Sequence, residues 1–202
     1  MVIPDIGEMN DVKNSKNMED SHMQLAFAIL LREKFQWVND IVVYDCVLSF
    51  VDRRSINQLD CTCLSVNEQG RRTVDRPTLF CMPHCPIALY ENVLEANWTS
   101  LNLNKIIILG NSFNNHTQYH LDYFNAKRVK AIRNSDYVLH EFPLPEITKE
   151  SIREACPSDP SESSLVVYFR AFQSLSWHFF AWDGSLDDLN LHLSSKDYAK
   201  ET

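Results

Sequence analysis

The sequence predicts an α/β fold: a single three-layer, Rossmann-like sandwich around a largely parallel sheet. Three observations carry this. Residues 77–113 read as strand, sharp turn, helix, loop, strand and sharp turn, which is one βαβ crossover of a parallel sheet. Residues 106–109 are an unbroken, mostly β-branched run closed by Gly110, the composition of a strand buried on both faces. The alternation of elements along the chain, β-α-β-(α)-β-β-α-β-α-β-β, is that of a layered α/β domain.

Taken in order, residues 1–6 predict a first short strand followed by Gly7, and residues 8–20 a polar irregular segment. Ser21 is placed to cap a helix over 22–34 with Leu25, Ala26, Ile29 and Leu30 facing inward. Residues 41–44 form a second strand ending on Asp45, and Asp52 caps a short helix through Leu59. Residues 61–66 alternate as an edge strand, ahead of a charged loop, 67–76, that holds Gly70. The strand at 78–82 is stopped by Pro83 and Pro86. The helix over 86–96 presents Ile87, Leu89, Tyr90, Val93 and Leu94 as its apolar face. Further on, residues 118–132 carry Leu121, Phe124, Ala126 and Val129 at helical offsets, and residues 137–142 form another strand. Pro143, Pro145 and the ACPSDPSESS segment at 155–164 predict loop. Residues 165–169 read as a β-branched and aromatic strand, and 172–182 as an aromatic patch. The domain spans residues 1–182, followed by a polar tail at 183–202.

Size and composition exclude several classes. A chain of 202 residues, 45% hydrophobic and 11% aromatic, can bury a sizeable single core and is expected to be soluble. A formal charge of −8 argues against direct nucleic-acid binding, which needs clustered cations. The doublets at Arg53 and Arg54, Arg71 and Arg72, and Lys127 and Arg128 are isolated. No stretch approaches the ~20 apolar residues of a membrane helix. No charged-then-apolar leader opens the sequence, so the six cysteines are expected to stay reduced in the cytoplasm or nucleus. The sequons at Asn97 and Asn115 are then accidental.

Right-handed crossovers bring the carboxyl ends of strands one, two, four and five to one rim, where open α/β sheets bind ligands. Gly7, Asp45, His84, Cys85, Gly110, Asn111 and Ser112 fall there. Asp45 occupies the position from which such sheets hold a ribose hydroxyl. The loop after strand one has only Gly7 where a dinucleotide fingerprint has three glycines, and Glu8 adds an unfavourable charge. A structural aspartate capping the next helix is therefore the favoured reading. Cys81, His84 and Cys85, with Cys61 and Cys63, offer soft donors without the usual spacing of zinc knuckles. Core packing of Cys81 and a proline-fixed turn at His84 compete with any ligand role. If there is one, haem iron is preferred to zinc, with the Cys-Pro dipeptides at Cys85 and Cys156 as the motif. Gly110-Asn111-Ser112-Phe113 resembles a nucleophile elbow, but Asn114 stands where its second glycine belongs, so a capping serine is the plainer reading. His178 is the candidate base. Trp177, Phe179, Phe180 and Trp182 read first as core packing and second as a partner surface or cofactor wall.

The string TLFCMPHCPIALYENVLEANW, followed by IIILGNSF and AFQSLSWHFF, resembles the sensitivity-to-red-light-reduced domain family over about residues 7–180. Met82-Pro83-His84-Cys85, Asn97-Trp98 and Gly110-Asn111-Ser112-Phe113 match as they stand. The family's closing motif survives as Phe172, Ser176, His178 and Phe180. Members usually carry extra residues before the first strand that this sequence does not show. It departs from the pattern at the glycine loop, where only Gly7 remains, and at Cys46, Ser174 and His116. These changes weaken any phosphate or acid–base role.

The resemblance implies a regulatory protein linked to circadian-clock input and, in animals, to haem biosynthesis and haem binding, with no enzymatic reaction to transfer. The resulting expectation is a soluble regulator that binds a small ligand, haem among the candidates. The rim residues Asp45, His84, Cys85, Gly110, Asn111, Ser112 and His178 would hold it, and unidentified protein partners are allowed. Two other expectations compete. One is a divergent transferase or hydrolase whose Asn111, Ser112 and His178 converge in a dry pocket. The other is an interaction module that exposes Trp177 and Trp182 together.

Overall fold

The apolar runs at 78–82 and 106–111 become the central strands of one sheet because each can bury both of its faces beneath helices. A computed structural model describes residues 1–4, 15–45, 47–113, 139–146, 148–155 and 162–182. The elements are β1 (Val2–Ile3), α1 (Ser15–Lys34), β2 (Ile41–Val43), α2 (Phe50–Gln58), β3 (Cys61–Cys63), β4 (Thr78–Met82), α3 (Ile87–Ala96), α4 (Ser100–Leu103), β5 (Ile106–Asn111), β6 (Leu139–Pro143), α5 (Lys149–Ala155), α6 (Glu162–Phe172) and β7 (Leu175–Phe180). The seven strands form a single sheet in the order β3-β2-β1-β4-β5-β7-β6.

The first five strands in that order pair in parallel. β7 then lies antiparallel to both β5 and β6, so the sheet is mixed. The expected parallel arrangement therefore holds from β3 to β5 and breaks at β7.

Side chains alternate between two core layers, as the strand period requires. Phe80, Met82, Ile106 and Ile108 pack under Tyr90, Val93 and Leu94 of α3 and Leu103 of α4. Leu79, Cys81 and Leu109 face the other way, toward Leu25, Ala28 and Leu31 of α1 and Ile56 of α2.

Several elements differ from expectation. Helix α1 begins at Ser15, and Ser21 lies inside it, buried, instead of capping it. Its inward stripe is Ser21, Gln24, Leu25, Ala28 and Leu31, at i, i+3, i+4, i+7 and i+10, while Leu30 is exposed. Two polar positions on that stripe hid its true phase. Helix α2 is capped by Ser49, whose Oγ accepts the Asp52 N–H at 3.2 Å while Asp52 Oδ2 accepts the Ser49 N–H at 2.9 Å. Asp52 is thus the third residue of a capping box, not the cap.

Residues 165–169 belong to α6 and are not a strand. Leu165 and Phe172, i and i+7, both face the core from that helix. The strand instead runs through the aromatic patch as β7, with Trp177 against one core layer and Phe180 in the other. Trp182 is partly buried as well. The joint exposure that an aromatic docking face needs is therefore missing. Residues 149–155 form α5, and the segment 155–164 expected as loop is helical at its two ends, at Ala155 in α5 and from Glu162 in α6. The expectations for Gly7, Cys156, residues 118–132 and the tail at 183–202 lie outside the described residues. No helix among the described residues is long and apolar enough to cross a membrane.

Candidate functional site

The turns that follow β4 and β5 are neighbours because Met82 pairs with Gly110 at the end of that ladder. After Met82, Pro83 ends the strand and His84 takes the left-handed conformation at φ 57°. The Cys85 N–H bonds back to the Met82 carbonyl at 3.4 Å, closing the turn. Pro86 then opens α3.

Asn111 clamps this turn. Its Oδ1 accepts the His84 backbone N–H at 2.6 Å, and its Nδ2 reaches His84 Nδ1 at 3.4 Å. His84 Nε2 lies 3.2 Å from the Ala171 carbonyl of α6. A carbonyl can only accept, so Nε2 carries the proton and Nδ1 accepts from the amide. The residue is exposed overall, but partial desolvation of the ring against α6 pulls the His84 pKa below its ordinary 6.5 and favours this neutral tautomer.

Tyr90 ties the clamp to α3. Its hydroxyl donates to the Met82 carbonyl and accepts the Asn111 N–H at 3.0 Å. Burial pushes the phenol's pKa well up, so it remains a donor. The approach explains Gly110, because a Cβ there would lie 2.4 Å from the Tyr90 hydroxyl oxygen.

Cys85 and Cys81 point into opposite core layers, beneath α3 and toward α1 respectively. Burial raises the Cys81 thiol to about 12. Among the described residues, no three His, Cys, Asp or Glu side chains gather as a metal-binding set. The residues present do not fit haem ligation. An axial ligand must aim a lone pair at a space that can hold the macrocycle. Both nitrogens of His84 are already engaged, and Cys85 is 4% exposed. Neither residue lines either of the rim's two clefts.

The first cleft, of about 420 Å³, lies where strand order reverses between β1 and β4, and Pro4, Tyr44, Asp45, Gln69, Leu89 and Asn92 are among its lining residues. Asp45 is buried there, and its Oδ1 accepts the Val47 N–H at 2.9 Å. That bond shapes the turn into α2, while Ser49 does the capping.

The second cleft, of about 750 Å³, lies beyond the ends of β5 and β6 and includes Ser112, Glu141, Ser176, Phe169 and Phe172 in its lining. Beneath it His178, fully buried, stacks on Phe113 with ring centres 4.3 Å apart. His178 Nδ1 lies 3.3 Å from the Ile108 carbonyl, and Nε2 lies 3.7 Å from Glu141 Oε2.

The rim thus brings His84, Gly110 and Asn111 together and places Cys85 beneath them. It does not bring His178 to Asn111. His178 pairs with Ile108, three residues short of Asn111. Strand alternation sends the two side chains to opposite faces, about 10 Å apart along β5. The trio Asn111, Ser112 and His178 therefore does not assemble into a shared catalytic pocket. Tyr90, Glu141 and Glu146 were missed from sequence. Tyr90 looked like any apolar-face aromatic, whereas Glu141, a carboxylate inside a strand, was a legible signal.

The chain matches the SRR1 domain model over residues 6–179 and belongs to the SRR1 domain family. It is 38% identical over 175 residues to Protein SENSITIVITY TO RED LIGHT REDUCED 1 of Arabidopsis thaliana, covering 86% of this chain and 58% of that protein. An SRR1-like protein of Mus musculus is 43% identical over 95 residues, covering 46% of this chain and 38% of that protein. An SRR1-like protein of Drosophila melanogaster is 31% identical over 90 residues, covering 45% of this chain and 32% of that protein. Each match spans less than two thirds of the relative's own length. No solved structure matches the chain.

Proposed function

We propose that the chain is a regulatory protein of the SRR1 family, acting in light or clock input and in control of haem biosynthesis, and working through a small ligand held at the carboxyl rim of its sheet. One observation carries this reading: the cleft of about 420 Å³ at the reversal of strand order between β1 and β4, walled by Asp45 and by the start of α3. The strand order β3-β2-β1-β4-β5 is that of Rossmann-like sheets, whose ligands sit outside the carboxyl ends at this reversal. The name of the Arabidopsis relative, which concerns sensitivity to red light, supports a signalling role. The clamp of His84, Asn111 and Tyr90 holds the adjoining turn in one geometry, so that α3 can wall the cleft.

Catalysis by Asn111, Ser112 and His178 is not part of this reading, since the three side chains do not meet. Nor is iron ligation by His84 or Cys85.

Mass spectrometry of small molecules co-purifying with the native protein tests the proposal. Ala88, exposed on α3 at the cleft's edge, supplies the control. A stoichiometric molecule that is lost from Ala88→Trp, with unchanged thermal unfolding, is the expected result. Protein carrying no small molecule, or equal occupancy in the two forms, overturns it.

A further inference from the structure

Asp45 stands two residues past the end of β2, buried, and lines the cleft of about 420 Å³. Its Oδ1 shapes the next turn through Val47, and its backbone carbonyl accepts from Arg53 Nη2 at 3.4 Å. The same guanidinium donates to the Leu48 and Leu64 carbonyls at 3.3 and 2.9 Å, so the carboxylate sits on a loop that Arg53 holds at three points. Ser49 caps α2, and helix capping therefore does not account for an acid at position 45. A buried carboxylate needs donors, and its two oxygens offer about four acceptor positions.

A second wall is fixed just as firmly. The loop between β3 and β4 reaches the cleft through Asn67 and Gln69. Asn97, fully buried, pins the far end of that loop: its Oδ1 accepts the Val74 N–H, and its Nδ2 donates to the Arg72 and Val93 carbonyls, each at 2.8 Å. Asn92 Nδ2 donates to the Gln69 carbonyl at 2.8 Å. Gly70, at φ 76°, lies so close to α3 that a Cβ would stand 2.9 Å from the Leu89 carbonyl oxygen. Gln69 is itself left-handed at φ 50°, a conformation that a glutamine keeps only where its surroundings impose it. Backbone strain of this kind gathers at ligand clamps.

The lining sets the chemistry of the ligand. No lysine, arginine or histidine is among the described lining residues, so a phosphate would meet Asp45 without a counter-charge. An ammonium would add positive charge beside Arg53, which already stands against this loop. Vicinal hydroxyls donate two hydrogen bonds to one carboxylate and bring no charge. Pro86, Leu89 and the Tyr44 ring supply apolar area for a flat body, and the amides of Gln69 and Asn92 supply donors and acceptors for its edge. The volume is near the small end of ligand sites, which suits one such unit better than two. We propose that the Asp45 cleft binds a ribonucleoside without phosphate, its 2′ and 3′ hydroxyls on Asp45, its base against Tyr44 and Leu89, and the base edge on Gln69 and Asn92. The assignment rests on the small-ligand reading of this cleft and gives that ligand its class.

Adenosine, inosine, uridine and cytidine are the probes, each beside its 2′-deoxy form and its 5′-monophosphate, titrated into the full chain by isothermal calorimetry. At least one ribonucleoside should bind saturably and at least tenfold more tightly than both of its counterparts. Asp45→Asn keeps an oxygen for the Val47 N–H, and it should bring the ribonucleoside down to the level of the 2′-deoxy form. No binding of any of the four, or equal binding of ribo and deoxy forms by the unaltered protein, overturns the proposal even if the variant fails to fold. An undiminished ribo preference in a folded Asp45→Asn protein overturns it equally. A co-purifying molecule that has no vicinal diol and is lost from Ala88→Trp overturns the ribonucleoside assignment alone. Equal occupancy of those two forms overturns the small-ligand reading and this assignment with it.

Discussion

At the scale of single residues, the rim is governed by how closely Tyr90 approaches β5. Its hydroxyl serves Met82 and Asn111 at once, and only a glycine at position 110 leaves room for it. Gly110→Ala is therefore expected to cost about 1–3 kcal/mol by overpacking, read from the urea midpoint at unchanged slope. Tyr90→Phe removes the nearest clashing atom but orphans the Asn111 N–H, for a loss of about 1–3 kcal/mol. Because Phe relieves the overlap, the double variant should lose less than the sum of the two single changes. Strict additivity would mean that the close approach carries no strain.

The same network fixes a pH dependence. Partial desolvation holds the pKa of the exposed His84 below its ordinary 6.5, and full burial acts in the same direction on His178. On acidification the unfolded chain takes up these protons first, so stability is fully present above pH 6.5 and declines as pH falls through that value toward the folded pKa. Urea midpoints should accordingly be lower at about pH 5.5 than at about pH 7.5, and His84→Asn should flatten part of that fall. A midpoint that rises on acidification would contradict the neutral assignment of the two imidazoles.

At the scale of elements, local chemistry decides where helices begin. The reciprocal Ser49–Asp52 bonds define the start of α2, so Ser49→Ala should cost about 1 kcal/mol of unfolding free energy and fray the first turn in hydrogen exchange. Loss of stability without faster exchange at the start of α2 would place the effect elsewhere. This cap also shows how far the sequence could be read. Strands β4 and β5, buried on both faces, were legible because an unbroken apolar run flanked by proline or glycine has few other uses. The clamp's neighbours followed, since parallel pairing necessarily sets consecutive carboxyl-end turns side by side. Helix α6 was not legible: Leu165, Val166 and Val167 have strand-like composition, and only tertiary burial of Leu165 and Ala171 selects the helix. Misplacing that strand by ten residues concealed that His178 sits inside the sheet, and so falsely put it on the rim beside Asn111.

At the scale of the whole molecule, the sheet closes through its last described strand. β7 is inserted between β5 and β6 and is the partner of both, pairing Ile107 with Phe179 and Leu139 with Phe180. Without it, β5 would present an unpaired apolar edge, β6 would have no strand beside it, and the His178–Phe113 stack beneath the larger cleft would vanish. An uncovered edge of that kind is a template for association between chains. A chain ending at Gln173 should therefore show no cooperative urea transition by circular dichroism and should elute as large species in gel filtration. A chain ending at Trp182 keeps β7 and the paired bonds between Trp182 and Asn104, whose N···O distances are 2.8 and 2.9 Å. It should unfold in one transition with a midpoint close to that of the full chain. This contrast tests whether residues 1–182 form the folding unit: cooperative unfolding of the shorter chain would show that the five parallel strands close a core alone, and failure of the longer one would move the boundary into the tail.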